Sequence, residues 1–486
     1  MIEKVSFTNY RNLDGKTYTF KDNLGVVIGK NGDGKTNLLE GIKLAFSSLD
    51  GSYMKVNKSD FKDSDDSNPI TITVKLKPNS IPSFNLPQAN GESICGFKVT
   101  ISKMNNGYYR KRFYNYDGTN INSDIVAEDS NIPKTYMVPM IRIEDIYSPG
   151  LTTGLKNFID EAQYLAFREQ VNQDITNQIS QTVEKFRSIC RKFNKNLDIT
   201  VSDPEINREK LYIVDGKSEH NSNIGSGYKS IANIVLCSMG GSHNIILIDE
   251  IENHIHPALL RNLINELRAL QNTFVLISTH SPVVINEFMI EDIIDAQIGN
   301  LCSVIKDKKI RRKINTFLHP GRAELLLADN VVLVEGFTEE LILRNYIVKE
   351  CFNWTVVNVA GVMFEPYMEL CAEMKKKVVV VSDDDRVQGA NSGTPSERFK
   401  KLQGMCQEKN IKLVQVYNTL ESDLYENKYL GSDEFGNLIE KHEKHQSICV
   451  AKDKKKIEIA QKLLESDTDL SKWHVVQEIE NELKGD

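Results

Sequence analysis

The run LGVVIGKNGDGKTNLLEGIKLAF, residues 24–46, constrains this chain more than any other stretch. Its first five residues are apolar on both faces, as a buried parallel strand must be. Gly29-Lys30-Asn31-Gly32-Asp33-Gly34-Lys35-Thr36 then fits GxxxxGK[ST] in full, and the next residues have helical spacing. Strand, glycine-rich loop and helix are the context that this motif requires. Backbone N–H groups at Gly29, Asn31, Gly32 and Gly34, with the helix N-terminus, are expected to cradle phosphates. Lys35 is expected to reach the outer phosphates of ATP and Thr36 to hold Mg²⁺.

A second segment completes that site. In NIILIDE, residues 244–250, Asp249 ends a buried strand and suits the Mg²⁺ shell, while Glu250 suits orientation of the attacking water. His280 follows one strand later, in STHSP, where it is expected to sense the γ-phosphate.

At 486 residues the chain is too long for one core, so two to four domains are expected. Its composition, 40% hydrophobic and 26% charged, suits a soluble globular protein. No apolar run reaches the roughly 18 residues of a membrane span, and MIEKVSFTNYRN lacks the apolar core of a signal peptide. The eight cysteines are scattered with no CxxC pair, which argues against a disulfide scaffold and for reduced cytoplasm. A net charge of −7 means that nucleic acid would be met through a local basic patch or bridging metal ions.

The hydrophobic periods outline the rest. Residues 51–135 carry alternating runs such as ITITVKLK and FKVTISK, read as antiparallel strands on one flank. Between Leu155 and Phe193, apolar residues at Val171, Ile175, Ile179, Val183 and Phe186 form a narrow helical stripe. That stripe serves either its own domain or a dimerisation arm. A fresh strand–helix alternation begins near residue 329 with NVVLVEG, TVVNVAG, KVVVVSDDD and KLVQVY.

Two strands of that second lobe end in acids. Glu335 closes NVVLVEG, with Glu339 and Glu340 on the next helical turn, and Asp383 and Asp385 close KVVVVSDDD. Residues at the carboxyl ends of neighbouring parallel strands converge on one edge, where ligands bind. Carboxylates pooled there repel one another, and divalent cations relieve that repulsion; hard oxygen ligands favour Mg²⁺ or Mn²⁺. Two such ions can activate a water and stabilise the leaving oxygen of a phosphodiester.

The N-terminal half resembles ABC-type ATPases of the SMC/RecF group, on FTNYRNL, the glycine-rich loop, NIGSGYKS (223–230) and IDEIENHIHP, in that order. By that resemblance Ser226 and Gly227 cap the ATP of a second subunit, so hydrolysis implies at least a head-to-head homodimer. The acid pair of the second half resembles the TOPRIM domain, and the whole order is similar to the OLD (overcoming lysogenization defect) family nucleases. That resemblance adds Glu421, in TLESDL, to the metal cluster, and Lys456, in KIEIA, as the lysine facing the scissile phosphate. It also matches Arg142 to an arginine near the ATP.

The implied fold is α/β. An ABC-type P-loop ATPase head spans 1–325, with an antiparallel β flank and a helical dimerisation arm at 150–195, and a Rossmann-like TOPRIM domain follows at 326–486. Glu335, Asp383 and Asp385 would hold one metal, with Glu339 and Glu421 serving the second. The implied activity is ATP-gated, divalent-metal-dependent cleavage or nicking of DNA in bacterial anti-phage defence. It would be carried out by a homodimer or larger homo-oligomer, sometimes with a partner defence protein or retron nucleic acid, and without a membrane. Basic clusters at Lys306–Arg312 and Lys452–Lys456 are candidate DNA contacts or simply solvated faces. Two other readings stand beside this one: an SMC/RecF-like DNA clamp whose TOPRIM lobe does not cut, and TOPRIM chemistry on RNA or through a tyrosine such as Tyr425.

Overall fold

In the computed structural model the described residues are 1–52, 54–87, 93–121, 129, 131–138, 184–193, 198–201, 211–214, 225–239, 243–317, 320–350, 354–361, 363–386, 394–429, 437–441, 449–452, 455–466 and 468–483. They fall into two compact units, 1–303 and 304–486.

The first unit holds two larger sheets. Strands β1 (Ile2–Thr8), β2 (Thr17–Thr19), β4 (Ile70–Leu76), β5 (Asn85–Pro87), β6 (Ser93–Lys103) and β7 (Tyr109–Asn115) form the expected antiparallel flank, in the order β2-β1-β4-β6-β5 with β7 on β6. Along β4 the residues Ile70, Ile72, Val74 and Leu76 are buried and those between them are not, the alternation of a sheet with one wet face. Strands β3 (Leu24–Ile28), β8 (Lys134–Val138), β11 (Asn244–Ile248), β12 (Thr273–Ser278), β13 (Ile293–Asp295) and β14 (Gly299–Asn300) form the second sheet, in the order β14-β13-β3-β12-β11-β8. Its strands β3, β11 and β12 are buried at every residue and pair in parallel. Helix α1 (Lys35–Phe46) joins the two sheets, with Phe46 edge-on to Phe97 of β6 at 5.1 Å between ring centroids. Helices α2 (Ser226–Met239) and α3 (Pro257–Arg268) and the hairpin β9 (Asp198–Val201)–β10 (Leu211–Val214) belong to the same unit.

Of the stripe read as a dimerisation arm, Val171, Ile175, Ile179 and Val183 lie outside the described residues, as does Arg142. Phe186 is described, in a helical stretch at 184–190, and it is fully buried.

The second unit, from Val304, opens with α4 (Lys308–Phe317) and α5 (Pro320–Leu327), and the boundary expected at 325/326 falls within α5. They group with the C-terminal elements because α4 packs on α7 (Phe364–Glu373) and α5 on β16 (Trp354–Asn358). Strands β15 (Asn330–Val334), β16, β17 (Lys377–Asp383) and β18 (Lys412–Val416) form one sheet, all parallel, in the order β16-β15-β17-β18. The chain leaves β15 for β16 on one side and returns to β17 on the other. That reversal opens a crevice outside the carboxyl ends of β15 and β17, the usual ligand position in such a sheet. Helices α6 (Phe337–Glu350), α8 (Glu397–Glu408), α9 (Leu420–Glu426), α10 (Lys456–Glu465) and α11 (His474–Leu483), with the small pair β19 (Ile439–Lys441)–β20 (Cys449–Ala451), complete the unit. No helix among the described residues is long and apolar enough to cross a membrane.

Candidate functional sites: a nucleotide loop and an acidic sheet edge

The parallel register sets the first site. Ile248 of β11 pairs with Ile277 of β12, and Ser278 pairs with Val27 of β3, so the residues just past all three strands meet. Thr36 Oγ1 donates to Asp249 Oδ2 at 2.9 Å, and Ser278 Oγ donates to Asp249 Oδ1 at 2.5 Å. Lys35 Nζ donates to the carbonyls of Gly29 (3.0 Å) and Lys30 (2.9 Å), folded onto the loop it is expected to leave for a phosphate. Burial pushes that ammonium below the usual lysine range.

Gly34 shows why the loop is glycine-rich. Its φ is +108°, and a Cβ there would meet Asn12 and Leu13 at 2.8 Å. Asn12 braces the loop, donating from Nδ2 to Gly32 O at 2.9 Å and accepting from Asn37 Nδ2 at 2.8 Å. Beside it Arg11 donates to Asp60, Asn37 and Glu40. Asp60 is thus a buried anchor for Arg11 and caps its own turn at Asn57. Gln297, in the β13–β14 hairpin, donates to Asp33 O at 3.0 Å.

Glu250 sits at φ +50°, a left-handed conformation uncommon for a side chain of its size, with Asn253 Nδ2 donating to its Oε2 at 2.9 Å. Glu252, not singled out from the sequence, accepts from Thr279 Oγ1 at 2.7 Å and from the His280 backbone N–H at 2.6 Å. His280 Nε2 is buried with no hydrogen-bond partner among the described residues, and burial, then Lys35, push the ring toward its neutral form. Ser226 and Gly227 open α2, and a Cβ on Gly227 would lie 2.4 Å from the carbonyl oxygen of His254.

The second site is the edge beyond β15 and β17. Val334 pairs with Val381, which brings Glu335 beside Ser382 and Asp383. Glu335 Oε1 accepts from Ser382 Oγ (2.5 Å) and from the Asp383 backbone N–H (3.1 Å). Burial, then the charges of Glu335, Glu339 and Glu421, raise Asp383 well above the ordinary carboxylate range. Glu339 is raised by burial and, after the opposing pull of its own backbone and Lys456, by Glu335 and Glu421. Lys456 Nζ stands 3.2 Å from Glu421 Oε1, an ion pair without hydrogen-bond alignment, and both Glu421 oxygens are buried with no hydrogen-bond partner among the described residues. Against the cost of burial, Glu421, Asp383 and Glu339 hold the Lys456 ammonium above its usual range.

Glu335, Glu339, Asp383, Glu421 and Lys456 therefore share one electrostatic centre. Asp385 joins it through Arg398, whose guanidinium reaches Asp385 Oδ2 at 2.6 Å and Glu335 Oε1 at 2.8 Å. Sequence reasoning missed Arg398, which lies two residues past the Ser396 cap of α8 and carries no motif. Glu340 faces the other way, toward Asn358 and Arg344. Among the described residues no three His, Cys, Asp or Glu side chains are already arranged as a ligand set for one ion. The donor chemistry nevertheless fits a hard divalent cation: all-oxygen, mutually repelling, buried at Glu339, Asp383 and Glu421, and with Lys456 as the cation beside Glu421.

The two sites define a P-loop ATPase joined to a TOPRIM domain. Residues 24–286, more than half of the chain, match the family described as "AAA domain, putative AbiEii toxin, Type IV TA system". Residues 326–385 match "Overcoming lysogenization defect protein-like, TOPRIM domain". The chain belongs to that AAA family and is an OLD-family ATPase–TOPRIM fusion. Among curated proteins it is 54% identical over 41 residues to the DNA replication and repair protein RecF of Oceanobacillus iheyensis, covering 8% of this chain and 11% of that one. It is 30% identical over 96 residues to RecF of Francisella tularensis subsp. novicida, covering 18% and 28%. The chain thus spans between about a tenth and just over a quarter of the length of these curated relatives. Similar solved structures include an SmcHead bound to the C-winged helix domain of ScpA, at 15% identity and TM-score 0.44, covering 60% of this chain and 94% of that one. Another is the recombination mediator protein RecF-ATPrS of the RecFOR pathway, at 14% identity and TM-score 0.34, covering 58% and 94%.

Proposed function

We propose that this chain is an ATP-regulated, divalent-metal-dependent DNA endonuclease or nickase acting in bacterial anti-phage defence. The observation that carries the reading is the convergence of Glu335, Glu339, Asp383 and Glu421 with Lys456 at the carboxyl edge of a parallel sheet. Burying several carboxylates together is costly unless cations meet them. Bound Mg²⁺ or Mn²⁺ would supply an activated water and charge stabilisation at the phosphodiester. Glu335, Asp383 and Asp385 would hold one ion, Glu339 and Glu421 the second, and Lys456 would face the scissile phosphate.

In the head, Lys35 and the backbone of Gly29, Asn31, Gly32 and Gly34 would bind ATP, and Thr36 and Asp249 its Mg²⁺. Glu250 would orient the attacking water, and His280 would read the γ-phosphate. Ser226 and Gly227 would complete the site of a second copy, making the chain a homodimer or larger assembly in the cytoplasm, open to a partner defence protein or retron nucleic acid. The domains would run 1–325, with the arm at 150–195, and 326–486. Matches to a lysogenization-defect family and to an AbiEii-type family support the defence setting.

One observation favours a second reading, a DNA clamp that does not cut: Arg398 already neutralises Glu335 and Asp385. Supercoiled plasmid incubated with Mg²⁺ or Mn²⁺ separates the two. Nicked or linear product from the wild type and none from Asp383→Ala would establish the nuclease, and Lys35→Ala would then report the direction in which ATP acts. Intact plasmid with every protein, despite retained DNA binding, would favour the clamp.

A further inference from the structure

The middle acid of Ser382-Asp383-Asp384-Asp385-Arg386 has a different task from its neighbours. Asp384 is fully buried and accepts from Arg386 Nε (2.6 Å), Gln415 Nε2 (2.6 Å) and the Asn418 backbone N–H (2.8 Å). Arg386 is thereby held over the ring of Tyr417, with its guanidinium carbon 5.6 Å from the ring centroid. The imidazole of His474 packs on the same tyrosine, centroids 5.2 Å apart and planes 36° apart. A second buried carboxylate supports this pile. Asp423 accepts from the Tyr417 backbone N–H and from Trp473 Nε1, both at 2.8 Å, and lies 3.6 Å from His474 Nε2.

Two buried carboxylates are an expensive way to hold a surface tyrosine unless its orientation is used. Tyr417 remains 45% exposed despite both flat neighbours. It also stands next to the acidic edge: Val416 pairs with Asp383 across β17 and β18, so Tyr417 begins one strand spacing from the aspartates. The other large apolar side chains exposed among the described residues of this unit are close in sequence to residues of that edge. Phe337 follows Glu335 by two residues, Ile457 follows Lys456, and Tyr425 lies one helical turn beyond Glu421.

Flat exposed rings interleaved with cations, beside a site for phosphodiesters, suit one kind of occupant. Base faces in a continuous duplex are hidden in the stack, whereas an unpaired base offers a face to an aromatic ring or guanidinium. We propose that the Arg386–Tyr417–His474 pile is a stacking platform for an unpaired base, so that the acidic edge receives a single strand or a locally opened duplex. This rests on the nuclease reading above and adds the form of the substrate.

The test uses the full chain carrying Asp383→Ala, so that no strand is cut, with a short 2-aminopurine-labelled single strand and its blunt duplex. Adding Tyr417→Ala should weaken single-strand binding about tenfold and remove the stacking quench of 2-aminopurine. Tyr417→Phe should keep both, and binding of the blunt duplex should stay unchanged. Equal binding of the single strand by the Tyr417 and Tyr417→Ala proteins overturns the platform, and so does an equal loss on the blunt duplex. Plasmid nicking by Tyr417→Ala with the active site intact separates the two ideas: undiminished nicking with unaltered binding sinks the platform and leaves the nuclease standing. Binding of neither oligonucleotide by any protein overturns both and assigns the exposed rings to a protein segment.

Discussion

Ser278 and Asp249 are joined by a 2.5 Å hydrogen bond between the ends of two adjacent strands, and the same Ser278 hydroxyl accepts the backbone N–H of Glu250 at 2.8 Å. One side chain therefore fixes both acids of the ATP site. The alignment holds Asp249 against Thr36 and supports the left-handed backbone of Glu250.

Removing that hydroxyl should impair turnover more than binding. Ser278→Ala keeps the buried strand but frees both acids, and loss of such a supporting hydrogen bond typically lowers activity by about 10- to 100-fold. Steady-state ATP hydrolysis measured beside nucleotide affinity checks this. A hydrolysis rate within about twofold of wild type would remove Ser278 from the argument.

Arg11 links Asp60, Glu40 and Asn37 on one side of the glycine-rich loop. Arg11→Met would leave Asp60 buried without its cation, and breaking a buried pair from one side costs more than the pair is worth. Because Arg11 is about a quarter exposed, the expected loss is about 2 kcal/mol, read as a lower urea midpoint of the transition that reports the first unit. Asp60→Asn in the same background should restore part of it, since the stranded charge is then gone.

Much of this architecture was legible because its signals are local. Leu24–Ile28, Ile245–Ile248 and Val378–Val381 are apolar on both faces, and each is followed within two residues by the groups that define a site. Ser278, Gln297 and Arg398 were not legible. Their roles arise only from register between strands or from partners 29, 264 and 63 residues away. The three aspartates of β17 and its turn illustrate the boundary. Their composition marks an acidic edge, but only the fold separates Asp383 and Asp385, which face the edge, from Asp384, which is spent on Arg386, Gln415 of β18 and Asn418 just past it. The helical stripe from Val171 through Val183 lies outside the described residues, so its competing readings stay as the sequence left them.

Stability should depend on pH through Asp292. Burial and the nearby charge of Asp22 push its carboxyl up to about 6, and its Oδ1 is buried with no hydrogen-bond partner among the described residues. A raised folded value means that the native state holds the proton more tightly than the unfolded chain. The penalty is therefore complete above about pH 6 and disappears as pH falls toward about 4. Asp292→Asn should be more stable than wild type by about 1 kcal/mol at pH 7.5, after allowance for partial exposure, with the two curves converging at low pH. Thermal unfolding across that range decides it, and parallel curves would exclude Asp292 as the source.

Arg398 and the proposed divalent cation would compete for the same oxygens. Arg398 bonds Glu335 and Asp385, the residues proposed to share an ion with Asp383. With a third of its side chain exposed, the pair contributes modestly, about 1 kcal/mol. Arg398→Ala in chelator should therefore melt lower by about 3 °C, because the carboxylates are left to repel one another. Adding Mn²⁺ should raise the melting temperature of Arg398→Ala by more than that of the wild type, since the cation then relieves repulsion that the guanidinium no longer screens. The same titration on Asp383→Ala should give little shift in either background. Identical metal-induced shifts with and without Arg398 would show that the guanidinium and the cation do not contend for one place, and would locate the ion nearer Glu339 and Glu421.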